Sequence, residues 1–234
     1  MRLITITLLL LSCFIANAQK GWFWANLNKS PKLAKIFSTD AQSGTGARTH
    51  SLTNVPIGAL IVITTQSEDD IGDASISSSP SLTWTKRADA QTFNSGNAEI
   101  WTATFAAGGS ITITSNFGSN NQSSVAWVIT GQESSPGGAT KTATFQITDS
   151  ATITTTRANS ILICVSSDWR AVDGSSRTYR DNATEVYYFF ASAATTGYHY
   201  YKLAPTVASY KEGLTAPTSP QNGFGTAILE VRSP

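Results

Sequence analysis

Cysteine, methionine and charged side chains are scarce in this chain. The 234 residues include two cysteines and one methionine, and 13% of them are charged, about half the share that is usual in globular proteins. Cys13 lies in an apolar leader, so Cys164 is the only cysteine of the remaining chain, and a disulfide within one molecule is excluded. Because Cys164 lies inside the apolar run ILICV, we expect a buried, unreactive thiol.

A surplus of one charge sign is also missing. The chain has 16 basic and 15 acidic residues, and loss of Arg2 with the leader leaves 15 of each. No cluster of lysine and arginine marks a surface for nucleic acid or for an anionic membrane. We therefore expect no nucleic-acid partner.

Residues 1–18 have the pattern of a secretory signal peptide. Arg2 supplies the positive start, the apolar run Leu3 to Ile15 is short for a bilayer span, and Ala16-Asn17-Ala18 is a small-x-small cleavage site. The leader predicts a secreted, extracellular or cell-surface protein. A transmembrane anchor and lipidation at Cys13 are alternatives that these residues leave open.

Helical periodicity is almost absent, and short alternating segments take its place. Ser81–Thr85, Ile111–Thr114 and Ala151–Thr154 alternate polar and apolar residues, with clusters of Ser, Asn, Pro and Gly between such segments. This pattern predicts an all-β protein, an antiparallel β-sandwich without βαβ units.

The strand pattern repeats along the chain. Ala59–Ile63 aligns with Ser160–Cys164 at an offset of 101, and Ser124–Val128 aligns with Gly225–Leu229 at the same offset. Ile100-Trp101 aligns with Tyr200-Tyr201 at an offset of 100. The spacing predicts one sandwich built from two similar halves that share one core, with Leu60 and Leu162 in it. Coincidental strand spacing is the alternative.

The predicted boundaries follow from this alignment. We expect a signal peptide over 1–18, an N-terminal arm or first strand over 19–45, and a single β-sandwich domain over 46–234, with half-repeats 46–138 and 139–234.

The order of motifs resembles jelly-roll-like β-sandwich domains of phage virion and tail proteins and of secreted bacterial surface proteins. The resemblance rests on Val55–Ile63, Leu82–Arg87, Glu99–Ala103, Ala106-Ala107-Gly108 and Val125–Val128, and it spans roughly residues 46–232. It implies a jelly-roll-like fold and a setting of adhesion or sugar binding, and it carries no catalytic signature. This chain departs from the family in having its own signal peptide and little appended sequence.

One group of acidic residues follows the first apolar strand. A hard cation such as Ca²⁺ takes six to eight oxygen ligands from closely spaced residues. The segment has that ligand density without the spacing of an EF-hand, so a calcium site is one interpretation and a solvated loop is the other. The candidate metal ligands are Glu68, Asp69, Asp70 and Asp73.

A second candidate site follows the matching strand of the second half. Trp169 offers a flat ring for stacking on a sugar, beside the hydrogen-bonding groups of Asp168 and Arg170. The full set of candidate ligand-binding residues is Asp168, Trp169, Arg170, Asp173 and Tyr179.

Aromatic residues are concentrated in three short segments. Tyr187–Phe190 and Tyr198–Tyr201 predict a hairpin with aromatics on both faces, either covered or used for binding. Trp22-Phe23-Trp24 predicts a tucked arm or an exposed patch.

Signals for catalysis are weak. His50 and His199 are the only histidines, no Gly-x-Ser-x-Gly elbow is present, and both histidines are predicted to be strand residues without a chemical role. An enzyme is therefore not the favoured interpretation. We expect a secreted, non-catalytic module that recognises a glycan or a cell or particle surface. The alternatives are a structural or assembly subunit of a virion or appendage, which would be a homo-oligomer, and a glycan-active hydrolase.

Overall fold

The computed structural model describes residues 33–68, 72–91, 96–134, 137–192, 194–219 and 223–234. The predicted signal peptide, Trp22-Phe23-Trp24, Asp69 and Asp70 lie outside these residues. Over the described ranges the chain forms seventeen β-strands and one short 3₁₀ turn, Arg180–Asn182. The all-β prediction is confirmed. None of the described residues belongs to a helix with the length and hydrophobicity of a membrane span.

The strands pair in five antiparallel sheets. Sheet 1 has the order β1-β8-β3-β6-β5, and sheet 2 has the order β13-β14-β11-β17-β9. Sheet 3 is β2-β7-β4, and two small sheets pair β10 with β15 and β12 with β16. The strands are β1 (Lys35–Thr45), β2 (Arg48–Val55), β3 (Ala59–Ser67), β4 (Ser75–Ser79), β5 (Thr85–Asp89), β6 (Asn97–Phe105), β7 (Gly109–Asn116), β8 (Asn121–Thr130), β9 (Thr140–Gln146), β10 (Ala151–Thr154), β11 (Ser160–Asp168), β12 (Thr178–Tyr179), β13 (Thr184–Ala191), β14 (Thr195–Ala204), β15 (Ser209–Glu212), β16 (Leu214–Ala216) and β17 (Phe224–Val231).

Sheets 1 and 2 pack face to face around a central hydrophobic core. Leu60 and Val62 of sheet 1 meet Ile161, Ile163 and Val165 of sheet 2 in this core. The opposite face of each large sheet packs against smaller sheets and forms an outer core of its own. Both faces of these sheets are therefore covered, which explains why β3 and β11 are buried at every position.

The prediction of a single shared core is only partly right. Leu60 lies in the central core, but Leu162 lies in the outer core of sheet 2. The residue of β11 that shares the central core with Leu60 is Ile161. Successive side chains of a strand point to opposite faces, so the prediction that Leu60 and Leu162 share one core is wrong, although the alignment at offset 101 does set Leu60 against Ile161, its neighbour in the central core.

The two large sheets have the same strand order when each is read from the strand that comes first in the chain. Ile63 lies opposite Trp101 and Ala126 in sheet 1, and Cys164 lies opposite Tyr200 and Ile228 in sheet 2. With Ile63 set against Cys164, the pairing matches Trp101 with Tyr200, an offset of 99, and Ala126 with Ile228, an offset of 102. The offsets predicted for these strands, 100 and 101, were each wrong by one residue. The shared order is a property of the structure. The internal duplication stays a prediction.

Candidate binding site

An edge strand with a β-bulge borders each large sheet beside β6 or β14. The bulge lies between Lys86 and Ala88 in β5 and between Glu185 and Tyr187 in β13. The two bulges lie at equivalent positions of their sheets. Just before the bulge, Thr85 lies opposite Thr102 in sheet 1, and Thr184 lies opposite Tyr201 in sheet 2. A bulge re-aims the side chains that follow it, so both edges direct their bulge residues in a similar way.

The two edges differ in the size of their side chains. In sheet 2, Tyr187 and Tyr201 pack against the central core, and Tyr201 makes an edge-to-face contact with Trp127 at 6.3 Å between ring centroids. In sheet 1 the matching positions hold Ala88 and Thr102. The sheet 2 edge is therefore filled by aromatic rings, and the sheet 1 edge is not.

A cleft of about 330 Å³ is present at this edge of sheet 1. Its volume is at the lower end of the range for small-molecule sites. Leu60 is fully buried beneath it, whereas Thr83, Thr85 and Thr104 are exposed to solvent. The lining residues are Leu60, Thr83, Thr85, Arg87, Thr102, Ala103 and Thr104.

The hydroxyl groups of the cleft are free. Thr83, Thr85, Thr102 and Thr104 form no side-chain hydrogen bond within the described part of the chain. Threonines in the interior behave differently: Thr64 lies 2.8 Å from a nitrogen of His199, and Thr226 donates to Asp149. Free hydroxyls that converge on one concavity can donate to and accept from a polar ligand.

Strand alternation explains how the sequence builds this surface. In β6, Thr102 and Thr104 lie two residues apart and point to the same face as Ile100, which is in the central core. Thr83 and Thr85 have the same spacing at the start of β5. The polar residues therefore extend the face of the central core beyond the point at which its apolar packing ends.

The predicted ligand-binding loop is held by its own acidic residue. Asp168 accepts hydrogen bonds from the backbone N–H groups of Arg170 and Val172 at 3.0 and 3.1 Å, and from the Ser219 hydroxyl at 2.5 Å. Burial raises the pKa of Asp168, against the effect of these hydrogen bonds. Asp168 thus stabilises the loop from inside.

Trp169 is half-buried beneath an exposed arginine. The Arg170 guanidinium carbon lies 3.6 Å from the centroid of the Trp169 ring. The indole N–H of Trp169 is buried and has no hydrogen-bond partner within the described residues. One face of the ring is therefore already stacked, and a sugar would have to replace Arg170 there.

The remaining two predicted ligand-binding residues, Asp173 and Tyr179, contact partners other than Asp168 and Trp169. Asp173 is exposed and accepts hydrogen bonds from the backbone of Ser175 and the hydroxyl of Tyr188, both at 2.9 Å. Tyr179 donates to Glu185 at 2.6 Å and stacks on Tyr200 at 4.9 Å between centroids. Both side chains hold the 173–188 region together, and no contact joins them to Asp168 or Trp169 among the described interactions.

The aromatic hairpin is confirmed, since β13 and β14 pair antiparallel. Both of its faces are covered. Tyr187 and Tyr201 pack on the central core, and Tyr198 and Tyr200 are fully buried in the outer core of sheet 2. Phe190 is 36% exposed, which leaves little of the hairpin for stacking on a ligand.

The predicted calcium ligands are only partly within the described residues. Glu68 accepts hydrogen bonds from the backbone N–H and the side-chain amide of Asn121 at 3.0 and 2.8 Å, so it caps the start of β8. Asp69 and Asp70 lie outside the described residues. Asp73 is exposed and belongs to a different group of acids.

That group is Asp73, Asp89 and Glu99, whose nearest ligand oxygens lie within 4.8 Å of one another. The ammonium of Lys86 contacts Asp73 and lies 2.6 Å from Asp89. Burial raises the pKa of Glu99 to about 7, although the Trp101 indole donates to it at 2.7 Å. Lys86 thus already supplies a positive charge to this acidic group, and the calcium site stays a prediction.

Both histidines are fully buried on opposite sides of β8. Ser123 lies 2.9 Å from His199 on the face toward sheet 2, and Ser124 lies 2.8 Å from His50 on the face toward sheet 3. Burial lowers the pKa of His199 to about 3 and also lowers that of His50. Each neutral ring therefore ties a neighbouring sheet to sheet 1.

Asp40, His50 and Ser124 form a chain that resembles a catalytic triad in composition. The His50 Nδ1 atom lies 3.4 Å from Asp40, and Ser115 donates to Ser124 at 3.0 Å. His50 and Ser124 have no exposed surface, and the cleft described above has neither among its lining residues. Because neither side chain reaches solvent, this chain of contacts links β2 to β8 in the interior, and the absence of a chemical role for His50 stays a prediction.

Cys164 is free and buried, as predicted, and burial raises its pKa. Comparison with protein-family models, with curated proteins and with solved structures finds no match.

The cleft was missed by sequence reasoning. Its residues are ordinary strand threonines, and only their position beside a bulge on a shared face brings them together. Knowledge of the strand register would have been needed to see that Ala88 and Thr102 match Tyr187 and Tyr201.

Proposed function

We propose that this chain is a non-catalytic module that binds a glycan in the cleft beside β5. The observation that supports this most strongly is the set of four free threonine hydroxyls around one concavity. A ring of hydroxyl groups can exchange hydrogen bonds with the hydroxyls of a sugar.

The signal peptide supports the further proposal that the module acts outside the cell or at its surface. A weakly charged, Ser- and Thr-rich surface is consistent with that setting. We propose no covalent step, since none of the described residues that line the cleft carries a carboxyl, imidazole or thiol group.

The test is retention of the mature protein, residues 19–234, on glycan arrays and glycan affinity gels. Thr85→Val and Thr102→Val keep the shape of each side chain and remove one hydroxyl. Each is expected to weaken binding about fivefold, since a hydrogen bond contributes about 1 kcal/mol. Thr112→Val, on the exposed face of sheet 3, is the matched control and should bind as the wild type does.

The predicted loop at Asp168–Tyr179 is the competing location for the same function. If the loop is the site, Trp169→Ala abolishes retention and the two valine variants do not change it. If the cleft is the site, each valine variant is retained more weakly and Trp169→Ala is retained as the wild type is. Loss in neither set, or no retention of any glycan by the wild type, would contradict the proposal.

Two measurements address the other candidate functions. An assembly subunit should form a multimer at micromolar concentration in light scattering, whereas a binding module of this size is expected to remain monomeric. A hydrolase should release shorter oligosaccharides from a glycan that it binds, and we expect none.

A further inference from the structure

We infer that the ligand of this cleft carries an anionic group, a carboxylate or a sulfate ester, that pairs with Arg87. The inference rests on the proposed function and names the class of glycan: an acidic one. Arg87 is half-buried and is the only charged residue among the described residues that line the cleft.

Arg87 differs from the other arginines of the described chain in having no partner. It forms no ion pair, hydrogen bond or ring contact there. Each of the other six does: Arg48 donates to Ser43, Arg157 and Arg232 pair with Glu133, Arg170 stacks on Trp169, Arg177 pairs with Glu185, and Arg180 donates to Asp149.

The acids nearest in sequence do not neutralise Arg87. Asp89 lies two residues further along β5, and its carboxylate is bound by Lys86 at 2.6 Å. Asp73 contacts the same ammonium group. Lys86 therefore binds both carboxylates, and neither of them pairs with the guanidinium of Arg87 in the cleft.

The guanidinium group of Arg87 has space because Gly137 beside it carries no side chain. Gly137 approaches it so closely that a Cβ atom there would lie 2.9 Å from the Nη2 atom. A half-buried guanidinium without a partner has lost part of its hydration and has gained no charge-assisted hydrogen bond in return. A carboxylate or sulfate accepts two parallel N–H groups of arginine, so it would compensate for that loss.

The threonines then define where the rest of the sugar lies. Thr83 and Thr85 precede Arg87 along the chain and line the cleft with it, and Thr102 and Thr104 line the cleft from β6. An acidic group on Arg87 places the ring hydroxyls of the same sugar among these side chains. A neutral glycan would use the hydroxyls and leave the guanidinium unpaired.

The experiment is isothermal titration of the mature protein with three oligosaccharides of equal length: neutral oligoglucose, oligogalacturonate and sulfated oligoglucose. We expect at least one acidic oligomer to bind about tenfold or more tightly than the neutral one. The ratio between the two acidic oligomers distinguishes carboxylate from sulfate recognition. Raising the salt concentration should weaken acidic binding more than neutral binding.

Arg87→Gln is expected to reduce the affinity for the preferred acidic oligomer to that for oligoglucose, and Arg87→Lys to retain part of the preference, since lysine keeps the charge without the planar pair of donors. Arg157→Gln, at an exposed arginine that contacts Glu133 and lies in neither candidate site, is the control and should bind as the wild type does, whereas Arg170→Gln tests the competing loop. Melting temperatures report whether each variant is folded.

The outcomes separate this inference from the proposed function. Equal affinity for neutral and acidic oligomers, together with an unchanged Arg87→Gln variant, would overturn the anionic ligand and leave the glycan module standing. Loss of acidic preference in Arg170→Gln but not in Arg87→Gln would move the anion to the loop and overturn the inference. Absence of binding to all three, with no retention on arrays, would remove both.

Discussion

At the scale of single residues, burial lowers the pKa of both histidines and favours their neutral form. Ser123 and Ser124 are neighbours on β8, yet they contact different histidines because their side chains point to opposite faces. Neither His50 nor His199 has exposed surface. The sequence correctly identified both as strand residues, but it could not show that each ties a neighbouring sheet to sheet 1.

Glu212 carries the clearest prediction for pH dependence. Its side chain is fully buried, neither carboxylate oxygen has a hydrogen-bond partner within the described chain, and burial raises its pKa to about 7. The folded protein therefore holds this proton more tightly than the unfolded chain, in which a glutamate titrates near 4.5. The contribution of Glu212 to stability is fully present below about pH 4.5 and is lost as the pH rises through about 7.

We therefore expect the Glu212→Gln variant to lose less stability than the wild type between pH 5 and pH 8. The measurement is the free energy of unfolding by urea at each pH. The difference between variant and wild type isolates Glu212 from His50 and His199, whose lowered pKa values act in the opposite direction. Parallel pH curves for the two proteins would show that the carboxyl of Glu212 is not held protonated.

At the scale of elements, a single carboxylate joins three parts of the second half. Glu230 of β17 accepts hydrogen bonds from the backbone of Ala139 at 3.0 Å and of Thr156 at 2.8 Å, and from the hydroxyl of Ser160 at 2.9 Å. Burial opposes its charge, but these donors hold the pKa of Glu230 below its usual value. Glu230 thus fixes β17 to the start of β9 and to the turn before β11.

The Glu230→Gln variant is expected to be less stable than the wild type by about 2 kcal/mol, since an amide offers one acceptor oxygen where the carboxylate offers two. Glu230 has a lowered pKa, so its contribution is present above the unfolded value of 4.5 and is lost as the pH falls below it. The loss in the variant should therefore shrink toward pH 3 in urea titrations. A loss of stability that is the same at pH 3 and pH 7 would contradict the charged clamp.

Strand identity was predictable from the sequence, and strand register was not. Alternation in Ile111–Thr114 and Ala151–Thr154, and continuous apolar runs in β3 and β11, correctly indicated half-covered and fully covered strands. The alignment of Ile100-Trp101 with Tyr200-Tyr201 was one residue out, because loops of unequal length separate these strands from β3 and β11. Because of this one-residue error, the sequence did not reveal that Thr102 occupies the position of Tyr201, and the cleft beside Thr102 was missed.

At the scale of the whole molecule, each large sheet covers the inner apolar face of the other. The central core has Leu60, Val62 and Trp127 on one side and Ile161 and Ile163 on the other, all of them buried. Sheet 3 covers only the far face of sheet 1. A chain that ends after β8 would therefore keep one outer core and expose the whole inner face of sheet 1 to water.

We expect residues 33–134 expressed alone to bind a dye for exposed apolar surface and to self-associate. The chain over residues 33–234, which contains both large sheets, is the control and should do neither. The measurement is light scattering combined with dye fluorescence. A monomeric half that unfolds cooperatively and binds no dye would show that the central core is not needed for stability.

The proposal about function is tested most directly by methyl NMR spectra of the full mature protein during titration with oligogalacturonate. The account predicts progressive shifts of the methyl signals of Thr83, Thr85, Thr102 and Thr104, which line the cleft, while the Thr112 methyl stays unchanged. Shifts confined to residues around Trp169, or no shift at any concentration up to the millimolar range, would contradict it.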